Sequence, residues 1–178
     1  CYTSAQVLGS PFSLGDVDNW GEKELVGFLS MRHEWRGRKF RTQFVTQLSQ
    51  ALLDDNEFKM PVTSLGSNVP PLTRTDHDIL KRVEEGCNAN KFKIDYYDKA
   101  IASMTPFKFI IAMENDTKAE GYITEKVFLA GLSGAVPIYR GHPSCSLMLN
   151  PDRVIDVSSC GDDVAKAVRK TIRKMKQF

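Results

Sequence analysis

The sequence predicts an α/β domain built on a largely parallel sheet, and three observations carry that expectation. Short apolar runs alternate with segments of helical periodicity along most of the chain. The densest run, Phe107-Lys108-Phe109-Ile110-Ile111-Ala112-Met113, reads as a buried strand and passes straight into a polar loop and a helix. The 178 residues suffice for one core and fall short of two ordinary domains.

Taken in order, residues 1–22 hold Gly, Ser, Pro, Asp and Asn with little periodicity and read as a linker or the end of a preceding domain. Residues 23–178 form the domain proper. Leu25-Val26-Gly27-Phe28-Leu29 is a short buried strand. From Arg38 to Asp54, Phe40, Phe44, Val45, Leu48, Leu52 and Leu53 recur at helical spacing. Met60 to Leu65 is a weaker strand ending at Gly66, and Ser67–Thr75, with Pro70-Pro71, is a loop. Polar helices are expected from about Asp76 to Gly86 and from Ile94 to Met104. After the strand at 107–113 come a helix from Thr124 to about Ser133 and strands at 136–139 and 154–157. The last helix starts near Asp162, with Val164, Val168, Ile172 and Met175 as its apolar stripe. Sheets of this kind take ligands outside the carboxyl ends of their strands.

Composition narrows the function only coarsely. A hydrophobic fraction of 42%, a charged fraction of 26% and a net charge of +2 suit a globular domain and demand no acidic partner. No apolar run approaches the roughly 20 residues that span a bilayer. The first residue is Cys1 rather than methionine, which reads as a piece of a longer protein, so a membrane anchor outside this chain stays open. Cysteines at 1, 87, 145 and 160 and histidines at 33, 77 and 142 make no zinc spacing. The cysteines read as free thiols, with a Cys145–Cys160 disulfide as the alternative.

The chemistry concentrates between Phe107 and Gly141. A helix that starts at a strand's carboxyl end offers unpaired backbone N–H groups and the positive end of its dipole to an anion. Thr124 is placed to cap that helix, and Lys126 falls in its first turn, where a cation is unfavourable unless an anion such as phosphate is held there. A solvated surface lysine is the plain alternative. Glu125, and Glu114-Asn115 at the strand's mouth, are carboxylate and amide groups suited to sugar or ribose hydroxyls, or else ordinary first-turn and loop residues. Tyr122 offers a ring for ribose or base, or a core side chain.

The strings Phe109-Ile110-Ile111-Ala112-Met113-Glu114-Asn115, Gly121-Tyr122-Ile123-Thr124-Glu125-Lys126 and Gly134-Ala135-Val136-Pro137-Ile138-Tyr139 with Gly141 resemble, in order and spacing, the donor-binding signature of the α-1,3/1,4-fucosyltransferases. Ser30 and Arg41-x-x-Phe44-Val45-x-x-Leu48 extend the resemblance more faintly upstream. The resemblance implies a Rossmann-like domain, the nucleotide-sugar half of a GT-B glycosyltransferase. It implies inverting transfer of fucose from GDP-fucose to a glycan hydroxyl, with no cofactor and no obligatory metal. Lys126 and Arg41 match the basic residues on the donor diphosphate, and Glu125, Tyr122 and Asn115 match residues around ribose and sugar. Catalytic roles thereby fall to Glu125, Lys126 and Arg41. The partners are a nucleotide sugar and a glycan acceptor, at the lumenal side of the Golgi membrane in a eukaryote or in the cytoplasm of a bacterium. Alternative readings are a nucleotide-sugar-binding fragment or non-catalytic homologue, and a transferase of another sugar nucleotide.

The chain departs from the family's pattern in three places. The loop between Asn115 and Tyr122 is about one residue longer than in some members, Met31-Arg32 replaces the Asn after the serine, and the general base belongs to an amino-terminal domain that this chain does not contain. Two rivals fare worse. Asp76-His77-Asp78 forms a D-x-D triplet, but it precedes a polar helix, where capping and first-turn charge account for it. Basic clusters at Arg32, Arg36, Arg38, Lys39 and Arg41 and along the last helix come with no nucleic-acid motif, and the second lies opposite an apolar stripe as a solvated face. No nucleic-acid partner is expected.

Overall fold

The computed structural model describes residues 17–30, 38–66, 69–76, 78–89 and 95–178. Six strands form one parallel sheet: β1 (Glu24–Phe28), β2 (Thr63–Ser64), β3 (Arg74–Thr75), β4 (Phe107–Met113), β5 (Val136–Arg140) and β6 (Ile155–Asp156). Among the described residues, five α-helices accompany it: α1 (Arg38–Asp54), α2 (Ile79–Ala89), α3 (Tyr96–Met104), α4 (Glu125–Leu132) and α5 (Val164–Met175). The strand order is β3-β2-β1-β4-β5-β6. The chain leaves β1 toward β2 on one side and leaves β4 toward β5 on the other. The connections therefore diverge between β1 and β4, which pair in parallel with Gly27 opposite Ile110. Such a divergence opens a crevice at the strands' carboxyl ends.

Period-two alternation along β4 divides the core between two layers. Phe109, Ile111 and Met113 pack with Phe44, Leu48 and Val168, beneath α1 and α5. Ile110 and Ala112 pack with Ile79, Met104 and Leu129, beneath α2, α3 and α4. That double coverage is why the strand reads as one apolar run. In α5 the buried side is Val164, Ala167, Val168, Thr171 and Met175, while Lys166, Arg169 and Arg173 face solvent. The basic cluster of the last helix is thus a solvated face.

Several boundaries differ from the sequence reading. Only Thr63 and Ser64 of the expected 60–65 strand pair, because Pro61 has no N–H to give a ladder and Met60 is exposed. The loop read over 67–75 contains the edge strand β3, whose exposed Arg74 pairs with Glu24 across the sheet. Helix α2 runs through Gly86 to Ala89, since an interior glycine costs a helix only about 1 kcal/mol. A capping box between Asp95 and Asp98 starts α3 at Tyr96, and Ile94, the expected start of the helix, lies outside the described residues. Residues 17–22 form a short 3-10 helix, whereas residues 1–16 of the expected linker, Met31, Arg32, Arg36 and His77 lie outside the described residues. Cys145 and Cys160 are buried free thiols. Among the described residues, no helix is long and apolar enough to cross a membrane.

Candidate functional site

Three elements meet at the carboxyl ends of β1 and β4. Phe28, Leu29 and Ser30 end β1, the first turns of α1 bring Arg41, and β4 delivers Glu114 and Asn115. Arg41 Nη2 donates to Asn115 Oδ1 at 2.7 Å, joining α1 to the mouth of β4 across 74 positions of sequence. Asn115 lines both of the hollows at this crevice. One, about 640 Å³, is lined by Arg41, Glu125, Lys126, Ser30 and Tyr96 among others. The other, about 710 Å³, lies toward Lys39, Lys118, Arg140 and Asp162.

Arg41 keeps unused donor capacity. Its Nε is buried without a hydrogen-bond partner among the described residues. Burial lowers the guanidinium's pKa, the negative Glu114 opposes that shift, and the positive Arg140 adds to it. A guanidinium remains charged in a protein, so the group is a cation short of acceptors.

Of the two readings the sequence left open for Glu114, a partner for sugar or ribose hydroxyls or an ordinary loop residue, its placement favours neither a free nor an exposed carboxylate. It is 2% exposed and both carboxylate oxygens are committed. Oε1 accepts the backbone N–H of Thr124 at 2.7 Å, and Oε2 accepts the Thr124 hydroxyl at 2.6 Å. Lys126 Nζ stands 3.4 Å from the same Oε2 and donates to Thr124 Oγ1 at 2.8 Å. Thr124 therefore holds the N-cap position of α4 without capping it through its side chain. Its hydroxyl is spent on Glu114 instead. A buried carboxylate thus already answers the cation in this first turn, so Lys126 does not by itself require a phosphate there. Lys126 nonetheless leaves 28% of its side chain exposed and lines the smaller hollow.

The structure thus brings Arg41, Asn115, Glu125 and Lys126 together. Tyr122 is not among them: it is 38% exposed on the loop before α4, lines neither hollow, and its carbonyl accepts from Cys145 Sγ at 3.5 Å. Arg140 was not singled out from the sequence. It is buried at the end of β5, its guanidinium lies 3.8 Å from the Phe40 ring centroid, and it donates to Gly161 O and Asp162 Oδ1. A charge closing an apolar strand run was the available signal. Asp76, from the D-x-D triplet, accepts from Arg82 at 2.6 Å, and no group of three or more His, Cys, Asp or Glu among the described residues could hold a metal ion.

The family model described as glycosyltransferase family 10 (fucosyltransferase), C-terminal, matches residues 80–177. The chain is similar to an alpha-(1,4)-fucosyltransferase of Arabidopsis thaliana, 44% identical over 66 residues, which are 37% of this chain and 16% of that protein. It is also similar to the alpha-(1,3)-fucosyltransferase FucT of Helicobacter pylori, 39% identical over 54 residues, 30% of this chain and 11% of that protein. Among solved structures, an alpha1,3-fucosyltransferase with GDP shares 20% identity at a TM-score of 0.55, covering 86% of this chain and 37% of that one. Another, with GDP-fucose, shares 20% identity at a TM-score of 0.53, covering 88% and 35%. At such identities the likeness to the solved chains is one of fold. The chain spans well under half of the proteins that it matches.

Proposed function

This chain belongs to glycosyltransferase family 10, the fucosyltransferases, and from that premise we propose that it is the donor-binding part of an enzyme that moves fucose from GDP-fucose to a glycan hydroxyl. In this reading the diphosphate lies in the smaller hollow, against Arg41 and Lys126. Charge grows on the leaving diphosphate as the bond to the sugar breaks, and two prepositioned cations with the start of α4 are worth most at that moment. That arrangement supplies what a divalent ion supplies elsewhere, so the reading includes no obligatory metal. Glu125 and Asn115 face the ribose and sugar hydroxyls. Tyr122, which the family resemblance assigns to the same task, draws no support from its place outside the hollows. The anomeric carbon inverts, and the general base comes from the amino-terminal domain of the intact protein.

One observation carries the proposal: Arg41, with a buried donor unspent, shares a hollow with Lys126 at the point where the sheet's connections diverge. Calorimetric titration with GDP, UDP and CMP, each free and as its sugar conjugate, provides the test. GDP and GDP-fucose are expected to bind most tightly. Equal or stronger binding of UDP would reject the fucosyl donor while leaving a glycosyltransferase.

A further inference from the structure

The carboxyl end of β4 carries a charge that the donor-site reading leaves unused. Glu114 is buried where strand passes to loop, and it lines neither hollow. An ionised carboxylate taken out of water costs several kcal/mol unless donors and opposite charge answer it. Here one residue ten positions on answers twice, through the N–H and the hydroxyl of Thr124, and Lys126 answers once. Since Thr124 Oγ1 also accepts from Lys126, the ammonium is held from its inner side by two oxygens. Among the described residues its other ion-pair contact is Glu125 Oε1 at 3.6 Å, the more exposed carboxylate of the two.

A lysine is a compact charge on a flexible four-carbon stem, and from the first turn of a helix it would otherwise extend into water. We propose that Glu114 is a positioning residue, whose buried carboxylate, acting with Thr124, fixes the Lys126 ammonium at the wall of the smaller hollow. The proposal rests on the reading of that hollow as the diphosphate site. It gives a reason for placing an acid beside an anion site, where charge alone disfavours it. Ordering Lys126 before the ligand arrives removes a cost that binding would otherwise carry, and Glu114 acts from behind the lysine rather than within the hollow.

The experiment is a double-mutant cycle read by calorimetry with GDP and guanosine. Glu114→Gln keeps the side chain's size and one acceptor for the Thr124 N–H, but it turns an amide donor toward the hydroxyl and the ammonium. GDP affinity is expected to fall about tenfold, the scale of one hydrogen bond to a charged group, with guanosine affinity unchanged. In a Lys126→Ala background the same substitution should change GDP affinity by less than about twofold, because no ammonium remains to be placed. Equal losses in both backgrounds, or no loss in either, overturn the positioning role and leave the donor site standing. Undiminished GDP binding by Lys126→Ala alone overturns the donor site, and this proposal with it. Circular dichroism establishes folding. If Glu114→Gln does not fold, Thr124→Ala, which removes only the hydroxyl bridge, enters the same cycle with the same expected and overturning results.

Discussion

Arg41 and Tyr139 each bury a polar atom that has no hydrogen-bond partner among the described residues, and they do so in opposite settings. Arg41 borders an open hollow, so a ligand there can meet its guanidinium. Arg41→Ala should therefore weaken GDP by at least about 1.5 kcal/mol, within the range for hydrogen bonds to charged groups. Gln47→Ala, on the exposed side of α1, should leave affinity unchanged in the same titration. Comparable losses from both would reduce Arg41 to one cation of a solvated face. Tyr139 is 0% exposed, packed with Val127 and Cys145, and no ligand can reach it. Burial pushes its phenol well above the ordinary range, with the Cys145 thiol as its polar neighbour. A hydroxyl desolvated without compensation costs free energy. Tyr139→Phe should accordingly leave stability to urea unchanged or raise it, and a loss above about 1 kcal/mol would reveal a hydrogen bond of ordinary worth.

The walls of the crevice depend on how closely the elements ending there approach one another. A Cβ on Gly66 would overlap the carbonyl oxygen of Ser30, where β1 ends at the smaller hollow. That contact is to backbone and cannot swing aside. Gly66→Ala should cost about 1–3 kcal/mol in urea denaturation, and a neutral result would show that the end of β1 yields readily. Gly141 is constrained likewise, since a Cβ there would overlap the rigid, buried Tyr139 ring's hydroxyl. The unbroken apolar run of β4 and the apolar stripes of α1 and α5 made those elements readable from the sequence, because their burial extends over many residues. The two-residue strands β2 and β3 carry no such pattern and are created by pairing with β1 and with each other. At the site, Arg41, Asn115, Glu125 and Lys126 were legible through residue type and motif order. The direction of Glu114 was not, because adjacency to Asn115 says nothing of which side chain turns inward.

At the scale of the whole molecule, α1 and α5 share one layer and are tied at its end. Lys176 Nζ lies 2.7 Å from Asp55 Oδ2 and 3.7 Å from Glu57 Oε2. The hydrogen bond to Lys176 holds the Asp55 carboxyl below its ordinary 3.8, and the bond to Asp55 lifts Lys176 above its ordinary 10.5. The carboxylate's contribution to stability is present above the unfolded value and is lost as pH falls through the depressed one. The ammonium's is present below its unfolded value and is lost as pH rises through the raised one. The stability difference between this chain and Lys176→Met should thus be widest at intermediate pH and close toward both extremes. A gap that persists unchanged in acid would trace it to the ammonium's place over the Phe58 ring instead. The pairing of β1 with β4 has a further consequence, and it concerns time. Glu24 lies opposite Phe107, and every pairing in the sheet is parallel, so no two neighbouring strands can zip together from a tight turn. The crevice joins the two strand ends that are farthest separated along the chain among these pairings, and closing so long a loop comes before its contacts repay it. A newly synthesised copy therefore has no half-formed version of the crevice: its two walls stay apart until this long-range step is complete.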